Sequence, residues 1–325
     1  MQQHHNGGAL ISALFITAVA AMLATALAVS QRFLIHEEQM ITRADHLYLQ
    51  LQGEQALASE VIINYELQWS GAQNSNAQYR PLKKELGETQ VDGAALSGVI
   101  DQTQGQYNIN NLVYSANQPG FVALLQAEVP NISKEAAFNI AKSITAWETT
   151  GSQDPYYLSL NPAYRSSKNE MVSISELRLI AGMTPEIYSA ITPFITALPI
   201  PKPTPSTTTT QQTTQTFVGM PININSASLA ALLAVNPTLS LSQAQTLIAC
   251  RNRYGGFTQL SQFISACAQT NGIASLEGLV TQDQYFLVKT QAERGDQVVS
   301  LNSLMVTQMR KNNKLNLVTV WQAFE

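Results

Sequence analysis

The sequence predicts an α+β protein in which an all-helical domain interrupts a small α/β domain that begins with one long N-terminal helix. Three observations support this prediction: an uncharged apolar run that continues as a helical pattern, a central block of helical segments, and strand-like segments on either side of that block. At 325 residues the chain is long enough for more than one hydrophobic core. We therefore expect two or three structural units.

The first element is an apolar run at residues 8–30, GALISALFITAVAAMLATALAVS, which contains no charged residue. As a helix it would be about 34 Å long, enough to cross the hydrocarbon core of a bilayer. A cleavable secretory signal is the alternative, but it has a basic start and a shorter apolar core. The preceding residues, MQQHHNG, contain no Lys or Arg, whereas Arg32 follows the run. The run therefore predicts a membrane span whose orientation the flanking charges do not decide.

The helical pattern continues beyond the membrane segment. Leu34, Ile41 and Tyr48 recur every seven residues, and no proline interrupts this part of the chain. We therefore predict one helix from about Leu10 to about Tyr65, roughly 80 Å long. A polar loop follows, and the short apolar runs and glycines between Leu96 and Val113 predict strands.

The central block is helical by pattern. Four segments between Phe121 and Leu198 have helical spacing, FVALLQAEV, EAAFNIAKSITAW, ISELRLIAG and PEIYSAITPFITAL, and Ser173 with Glu176 forms a capping box for the third. Residues 199–216, rich in Pro and Thr, predict a linker or an exposed loop. More helix is expected up to about Val280. The last 40 residues, with VVSLNSLMVTQM, KNNK and LNLVTVW, predict a β-hairpin that turns at KNNK.

These patterns set the predicted domain boundaries. The α/β domain is expected in two parts, residues 31–115 and 284–325, and the inserted helical domain at residues 116–283.

Residues 222–263 resemble a helix-hairpin-helix unit. Asn225 and Ser226 are expected to begin its first helix and Ser242 its second, and the run YGGF at residues 254–257 is expected to turn into a third helix.

DNA-binding units of this kind hold a phosphate on a glycine-rich hairpin beside basic residues. Here the hairpin, residues 236–240, contains no glycine, and Arg251 and Arg253 are the nearby basic residues. The sequence favours a helical packing module, with DNA binding as the alternative.

Composition argues against other functions. Charged residues make up 12% of the chain and the net charge is −4, so no nucleic-acid partner is expected. All four histidines lie in the N-terminal leader or the long helix, and we find no P-loop or dinucleotide fingerprint, so no enzyme is predicted. Cys250 and Cys267 suit one disulfide in an oxidising compartment, and two free thiols are the alternative.

The leader with GALISALF, the segments GEQALASEVI and QYNINNLV, the block from Asp154 to Pro199 and the unit beginning ININSAS together resemble the minor pseudopilin K family of type II secretion systems. The resemblance covers almost the whole chain, and the block from Asp154 to Pro199 is its most specific part. It implies a pilin-like α/β domain with a large helical insertion, which agrees with the pattern described above. It also implies a complex with minor pseudopilins I and J at the pseudopilus tip, where the family helps to start assembly.

The resemblance implies processing and location as well. Residues 1–7 would be a prepilin leader that prepilin peptidase cleaves between Gly7 and Gly8, and mature position five, a glutamate in ordinary pilin-like subunits, is Ser12 here. The remaining partners would be the major pseudopilin fibre and the inner-membrane secretion platform. The chain would cross the inner membrane once, with its bulk in the periplasm.

No cofactor is required for this role, and calcium is the one metal that the resemblance suggests. The corresponding loop, TAWETTGSQDPYY, has two acidic residues, Glu148 and Asp154. Calcium usually takes six to eight oxygen ligands, several of them carboxylates, so a site on these two residues would be poor in ligands.

Overall fold

The computed structural model describes residues 6–73, 79–150, 152–200, 217–273, 276–309 and 315–324. The α-helices in these ranges are α1 Asn6–Gln73, α2 Gln118–Glu128, α3 Lys134–Glu148, α4 Asp154–Leu158, α5 Pro185–Ile191, α6 Leu229–Val235, α7 Leu241–Tyr254 and α8 Leu260–Phe263. The strands are β1 Thr89–Val91, β2 Ala94–Gln102, β3 Tyr107–Asn108, β4 Ile195–Thr196, β5 Ile222–Asn223, β6 Leu279–Val280, β7 Tyr285–Arg294, β8 Gln297–Met309 and β9 Leu315–Phe324.

Helix α1 extends a few residues beyond the predicted helix at both ends. The apolar side chains of its first half are exposed, as for Phe15 at 69% and Met22 at 70%. In the part of the chain that the structure describes, α1 is the one helix long and apolar enough to cross a membrane, with a window of mean hydropathy 2.3 that is not buried by the protein. This half of the helix is therefore suited to a lipid environment.

The second half of α1 packs on a five-stranded antiparallel sheet with strand order β1-β2-β7-β8-β9. Leu47 lies in a buried cluster with Ala292 and Leu301, whereas Ile62 lies in a cluster with Phe286 and Met305. The helix therefore runs along the strands. The helices that follow β2 and precede β7 in the chain are called the helical region. Because β2 pairs with β7, the chain segments before and after this region form one sheet.

The C-terminal part differs from the predicted hairpin. The two expected strands are present as β8 and β9, but β7 precedes them and was not predicted as a strand. In β7 every second side chain is buried, namely Phe286, Val288, Thr290 and Ala292. The threonine weakens the alternating apolar pattern by which a strand is recognised in the sequence. The predicted turn KNNK lies outside the described residues.

The strands predicted between Leu96 and Val113 are also only partly correct. β2 ends at Gln102, and a short 3-10 helix occupies Ile109–Val113. The reason is packing, because Ile109 and Leu112 are fully buried in the core of the helical region rather than in the sheet. That core includes residues from Tyr107 to Leu279, so it begins before the expected boundary at residue 116.

Two of the predicted central helices are shorter or tighter than expected. ISELRLIAG forms a 3-10 helix at Ile174–Leu179, with the predicted Ser173 and Glu176 capping box present. In PEIYSAITPFITAL the α-helix covers seven residues, and the chain then forms a 3-10 turn and β4. Pro193 explains this end, since proline cannot donate the backbone hydrogen bond that would continue the helix.

Candidate functional site

The helical region joins α1 and the sheet through a buried polar junction. Asp283, just before β7, is fully buried, and its Oδ2 accepts hydrogen bonds from the side-chain amides of Gln102, 2.7 Å away, and Asn223. The neighbouring Gln282 donates to Glu66 of α1, which is also buried. Three parts of the fold, namely α1, the end of β2 and the helical region, therefore meet at these polar side chains.

Asp283 is incompletely satisfied. Its Oδ1 atom has no hydrogen-bond partner in the described ranges. Burial raises the pKa of Asp283 to about 6, although hydrogen bonds from Asn223, Gln102 and the Gln104 backbone oppose the shift. Because the folded-state pKa lies above the ordinary value of 3.8, the neutral acid favours folding. This stabilisation is complete below about pH 4 and is lost as pH rises through about 6.

Asp283→Asn should therefore stabilise the fold in a pH-dependent way. The variant keeps an oxygen for Gln102 and Asn223 but carries no charge, so its free energy of unfolding relative to the wild type should rise by about 2.5 kcal/mol from pH 4 to pH 7.5. Urea unfolding of the purified chain in detergent, followed by tryptophan fluorescence, measures this difference. Asp92→Asn, in the exposed turn between β1 and β2, is the control for loss of one charge. A constant difference between Asp283→Asn and wild type at all pH values would contradict the prediction.

Three buried asparagines clamp segments of the helical region. Asn108 and Leu198 exchange a pair of side-chain to backbone hydrogen bonds, and Asn111 and Met220 exchange another pair. Asn110 binds the backbone of Met171 in the same way. Because Leu198 and Met220 flank the Pro/Thr-rich segment, these amides fix the chain on both sides of it. This role of QYNINNLV was not predicted from the sequence, where its signal is three asparagines within an otherwise largely apolar segment.

Cys250 of α7 and Cys267 form a disulfide in the structure, with their Cα atoms 5.8 Å apart. Cys267 is fully buried in the helical core, and Cys250 is partly buried against it. The bond connects α7 to the segment that follows α8, and closes a loop with a sequence separation of 17. It therefore restrains the second half of the helical region.

Replacing both cysteines with alanine should lower the free energy of unfolding by about 3 kcal/mol, the loop-closure value for a loop of this length. The unfolding transition of the wild type under reducing conditions should shift in the same direction, whereas that of the double variant should not change. Titration of thiols in denatured, unreduced protein gives an independent check. Two free thiols per chain would contradict the assignment.

The predicted calcium ligands have different environments. Both oxygens of buried Glu148 are without a hydrogen-bond partner among the residues described, and burial, followed by the nearby Glu170 and Glu176, raises the pKa of Glu148 to about 9. Asp154 is instead engaged: its Oδ1 accepts from the backbone and hydroxyl of Ser166, and Lys168 Nζ lies 3.4 Å from its Oδ2.

Hydrogen bonds from Ser166 and the Lys168 ammonium hold the pKa of Asp154 below its ordinary value. A lysine ammonium therefore balances the Asp154 charge where calcium would have to bind. Within the described ranges no group of three or more His, Cys, Asp or Glu side chains is arranged to hold a metal ion. The pair Glu148 and Asp154 would therefore be a poor calcium site, and calcium binding stays a prediction.

In the helix-hairpin-helix-like unit, α6 begins later than predicted and α7 begins earlier. Ser228, rather than Asn225 or Ser226, caps α6, and Ser240, rather than Ser242, caps α7 through a capping box with Gln243. Asn225 does not begin α6 because its side-chain amide binds the backbone of other segments.

Asn225 connects two segments of the unit. Its Oδ1 accepts from the backbone N–H of Phe257, and its Nδ2 donates to the carbonyls of Phe257 and Thr281. It therefore holds the unit against the strand segment that leads to the junction.

Arg251, one of the two basic residues near the hairpin, is engaged within the unit. Its Nη1 donates to the carbonyl oxygens of Ile224, 2.9 Å away, and Ala227, 2.7 Å away. Arg253 is exposed. A single exposed arginine gives little phosphate neutralisation, so we expect no salt-sensitive binding to duplex DNA even at low ionic strength. Micromolar binding in a fluorescence anisotropy titration, weakening steeply with salt, would contradict this.

The residues predicted to act at the N-terminus lie on one helix. Gly7, Gly8 and Ser12 fall in the first two turns of α1, at the start of the apolar half. Leader residues 1–5 lie outside the described residues.

Comparisons with known proteins agree on one family. Residues 105–200 match the family model described as type II secretion system protein K. The chain is similar to type II secretion system protein K of Pseudomonas aeruginosa, with 24% identity, covering 98% of this chain and 93% of that protein. It is also similar to protein K of Pectobacterium carotovorum, with 23% identity and coverages of 94% and 93%.

A solved structure is similar over most of the chain. It is the crystal structure of the GspK-GspI-GspJ complex from the type 2 secretion system of enterotoxigenic Escherichia coli, with a TM-score of 0.60 and 18% identity, covering 87% of this chain and 99% of the matched one. At this identity the likeness is evidence for the fold. The predicted α+β fold with a long N-terminal helix is confirmed.

Proposed function

The chain belongs to the minor pseudopilin K family of the type II secretion system, a family of structural subunits, and we propose that it caps the tip of the pseudopilus and helps to start its assembly. In this proposal it acts together with minor pseudopilins I and J, requires no cofactor and catalyses no reaction. The similar E. coli protein was solved in a complex with GspI and GspJ, which supports these partners here.

The observation that carries the tip proposal is where the helical region contacts α1. Gln282 of the junction binds Glu66, near the end of α1 that is farther from the apolar half. From residue 30 to residue 66 the helix rises about 54 Å. A helical region at that end adds bulk far from the membrane, where a subunit stacked above would have to bind. This supports a terminal position in a fibre that grows from the membrane.

Ser12 supports the same position. A carboxylate within the bilayer is costly unless it is paired, and in ordinary pilin-like subunits the glutamate at this position pairs with the terminal amine of a neighbour. Ser12 carries no charge, so this chain needs no such neighbour above it.

We also propose cleavage between Gly7 and Gly8, a periplasmic location for the bulk of the chain and contact with the inner-membrane secretion platform. The disulfide is consistent with the oxidising periplasm.

Fibre composition tests the proposed function. We expect about one copy of this chain per pseudopilus, at the distal end, when isolated fibres are quantified against the major pseudopilin and an epitope tag in the Pro/Thr-rich segment is located by electron microscopy. Labels spaced along the shaft would refute the tip position.

N-terminal sequencing from cells that contain prepilin peptidase should give a chain beginning at Gly8, and an unprocessed chain would refute cleavage.

A further inference from the structure

Two buried carboxyl groups meet where the helical region contacts α1. Glu66 of α1 is 3% exposed, and Asp283 is fully buried. One oxygen of each carboxyl accepts hydrogen bonds: Glu66 Oε2 from Gln282, and Asp283 Oδ2 from Gln102 and Asn223. The second oxygens, Glu66 Oε1 and Asp283 Oδ1, are buried without a hydrogen-bond partner among the residues that the structure describes. The junction therefore satisfies only one oxygen of each carboxyl group.

No basic side chain in the described ranges forms a salt bridge with Glu66 or Asp283. Asp283 instead interacts with Glu66 and with the phenol groups of Tyr65 and Tyr79, which carry no positive charge. Arg251 faces Tyr79, and its guanidinium is bound to backbone carbonyls of the helix-hairpin-helix-like unit. A buried carboxylate without a partner charge is costly, so the closed junction favours the protonated acids.

Both carboxyls change charge close to neutral pH. Burial raises the pKa of Glu66 to about 7, although the hydrogen bond from Gln282 opposes this shift, and the charge of Asp283 adds to it. The pKa of Asp283 is about 6, and the ordinary values for the two groups are 4.5 and 3.8. Each ionisation therefore disfavours the closed junction by roughly 100-fold relative to an open one in which water solvates the carboxylate. The preference for the closed junction is complete below about pH 4 and is lost as pH rises through about 6 and then 7.

An aromatic contact lies beside the two carboxyls. The rings of Trp69, one turn along α1 from Glu66, and Tyr79 pack edge to face with their centroids 5.5 Å apart. Tyr79 in turn covers Gly256 of the helical region so closely that a Cβ atom there would overlap the ring. Trp69 Nε1 is a third buried polar atom without a partner in the described part of the chain. Opening this contact would give water access to the indole as well as to the carboxyls.

A second contact joins the helical region to the sheet without these carboxyls. Leu198 and Met220 of the helical region form a buried apolar cluster with Tyr285 of β7 and with Leu304 and Val306 of β8. Burial of these side chains does not depend on whether a carboxyl at the junction is ionised. The apolar cluster can therefore hold the helical region on the sheet while the junction is open.

We propose that Glu66 and Asp283 form a proton-operated latch, which closes the junction between α1 and the helical region when both carboxyls are protonated and opens it when they release their protons to solvent. The open chain keeps the apolar cluster, so the angle between α1 and the helical region is then fixed by one contact instead of two. The inference concerns a conformational change within one chain and does not use the proposed function.

Paired substitutions test the latch. Glu66→Gln with Asp283→Asn removes both charges at the junction, whereas Glu60→Gln with Asp92→Asn removes two charges at exposed positions. Hydrogen exchange of the backbone amides at residues 281–285 is measured on the full chain in detergent at pH 7.5. We expect exchange there to be at least tenfold slower in the latch variant than in the wild type, and the exposed pair to match the wild type. Equal exchange in the latch variant and the wild type would overturn the inference.

The wild type gives a second test that does not depend on how the variants fold. Its exchange rate at residues 281–285, divided by the intrinsic rate of an unprotected amide at each pH, should rise at least tenfold between pH 5 and pH 8. A constant ratio over this range would contradict a latch that protons operate.

Low, non-denaturing urea separates the latch from unfolding of the whole chain. An opening confined to the junction exposes little surface, so exchange at residues 281–285 should not respond to urea. Exchange of the buried amides in α3 requires the helical core to unfold, and urea should accelerate it. Equal acceleration of both segments would show that the carboxyls change only the overall stability, and the latch would be rejected.

A metal ion is the alternative to a proton at two carboxyls. Calcium or magnesium added to the wild type at pH 7.5 should leave exchange at residues 281–285 unchanged. If either ion slows this exchange to the rate of the latch variant, a cation closes the junction and the proposed role of the protons is wrong.

Discussion

Gly120→Ala is expected to lower the free energy of unfolding by about 5 kcal/mol, more than the usual cost of overpacking. Gly120 lies in α2, where a Cβ atom would be 1.8 Å from the carbonyl oxygen of Ala234 in α6. The obstacle is backbone, so no side-chain rotation can relieve it. The two helices would have to separate, which would open the core that both of them line.

Gly53→Ala is the matched control. Gly53 is also in a helix, α1, and its added Cβ would meet no atom within 4 Å. Alanine loses less backbone entropy than glycine on entering a helix, so this variant should be more stable by about 0.5–1 kcal/mol. Urea unfolding in detergent should therefore shift in opposite directions for the two variants. Similar stabilities would show that the contact between α2 and α6 is looser than the structure indicates.

Asn110→Ala is expected to lower the free energy of unfolding by about 4 kcal/mol. The fully buried amide accepts a 2.8 Å hydrogen bond from the Met171 backbone N–H and donates to the carbonyls of Met171 and Leu198, each 3.0 Å away. Alanine would leave both Met171 backbone groups buried without these partners, at about 1–3 kcal/mol each. The Leu198 carbonyl would keep its bond from Asn108.

The control for Asn110→Ala is Asn139→Ala, at an exposed position of α3. That variant should change stability by less than about 0.5 kcal/mol. The midpoint of urea unfolding measures both variants. A loss below 1 kcal/mol for Asn110→Ala would mean that water replaces the amide, and the clamp would then have little role in holding the segment around Met171.

The sequence predicted the elements whose signal is local. The uncharged run at residues 8–30 and the seven-residue spacing after it indicate α1 without any tertiary information. The capping box at Ser173 is local too, and it is present even though the helix it caps is 3-10 rather than α.

The elements that were missed depend on distant contacts. β7 is a central strand because β2 and β8 pair with it on either side, and its own sequence, YFLVKTQAER, carries a polar residue, Thr290, in the buried face. Asn225 could have capped a helix, but the Phe257 backbone, 32 residues away, takes its side chain. The junction residues are equally non-local, since Gln102 and Asp283 are separated by 181 residues.

That separation has a consequence for the order of folding. Closing a flexible loop of this length would cost about 5 kcal/mol in chain entropy. The helical region lowers this cost if it folds first, because it then brings Gln102 and Asp283 together before β2 meets β7. Three of the five strands are the last to be synthesised. A nascent chain that folds in this order carries a folded helical region but an incomplete sheet, and its sheet, including β9, forms only after the C-terminal residues have been synthesised.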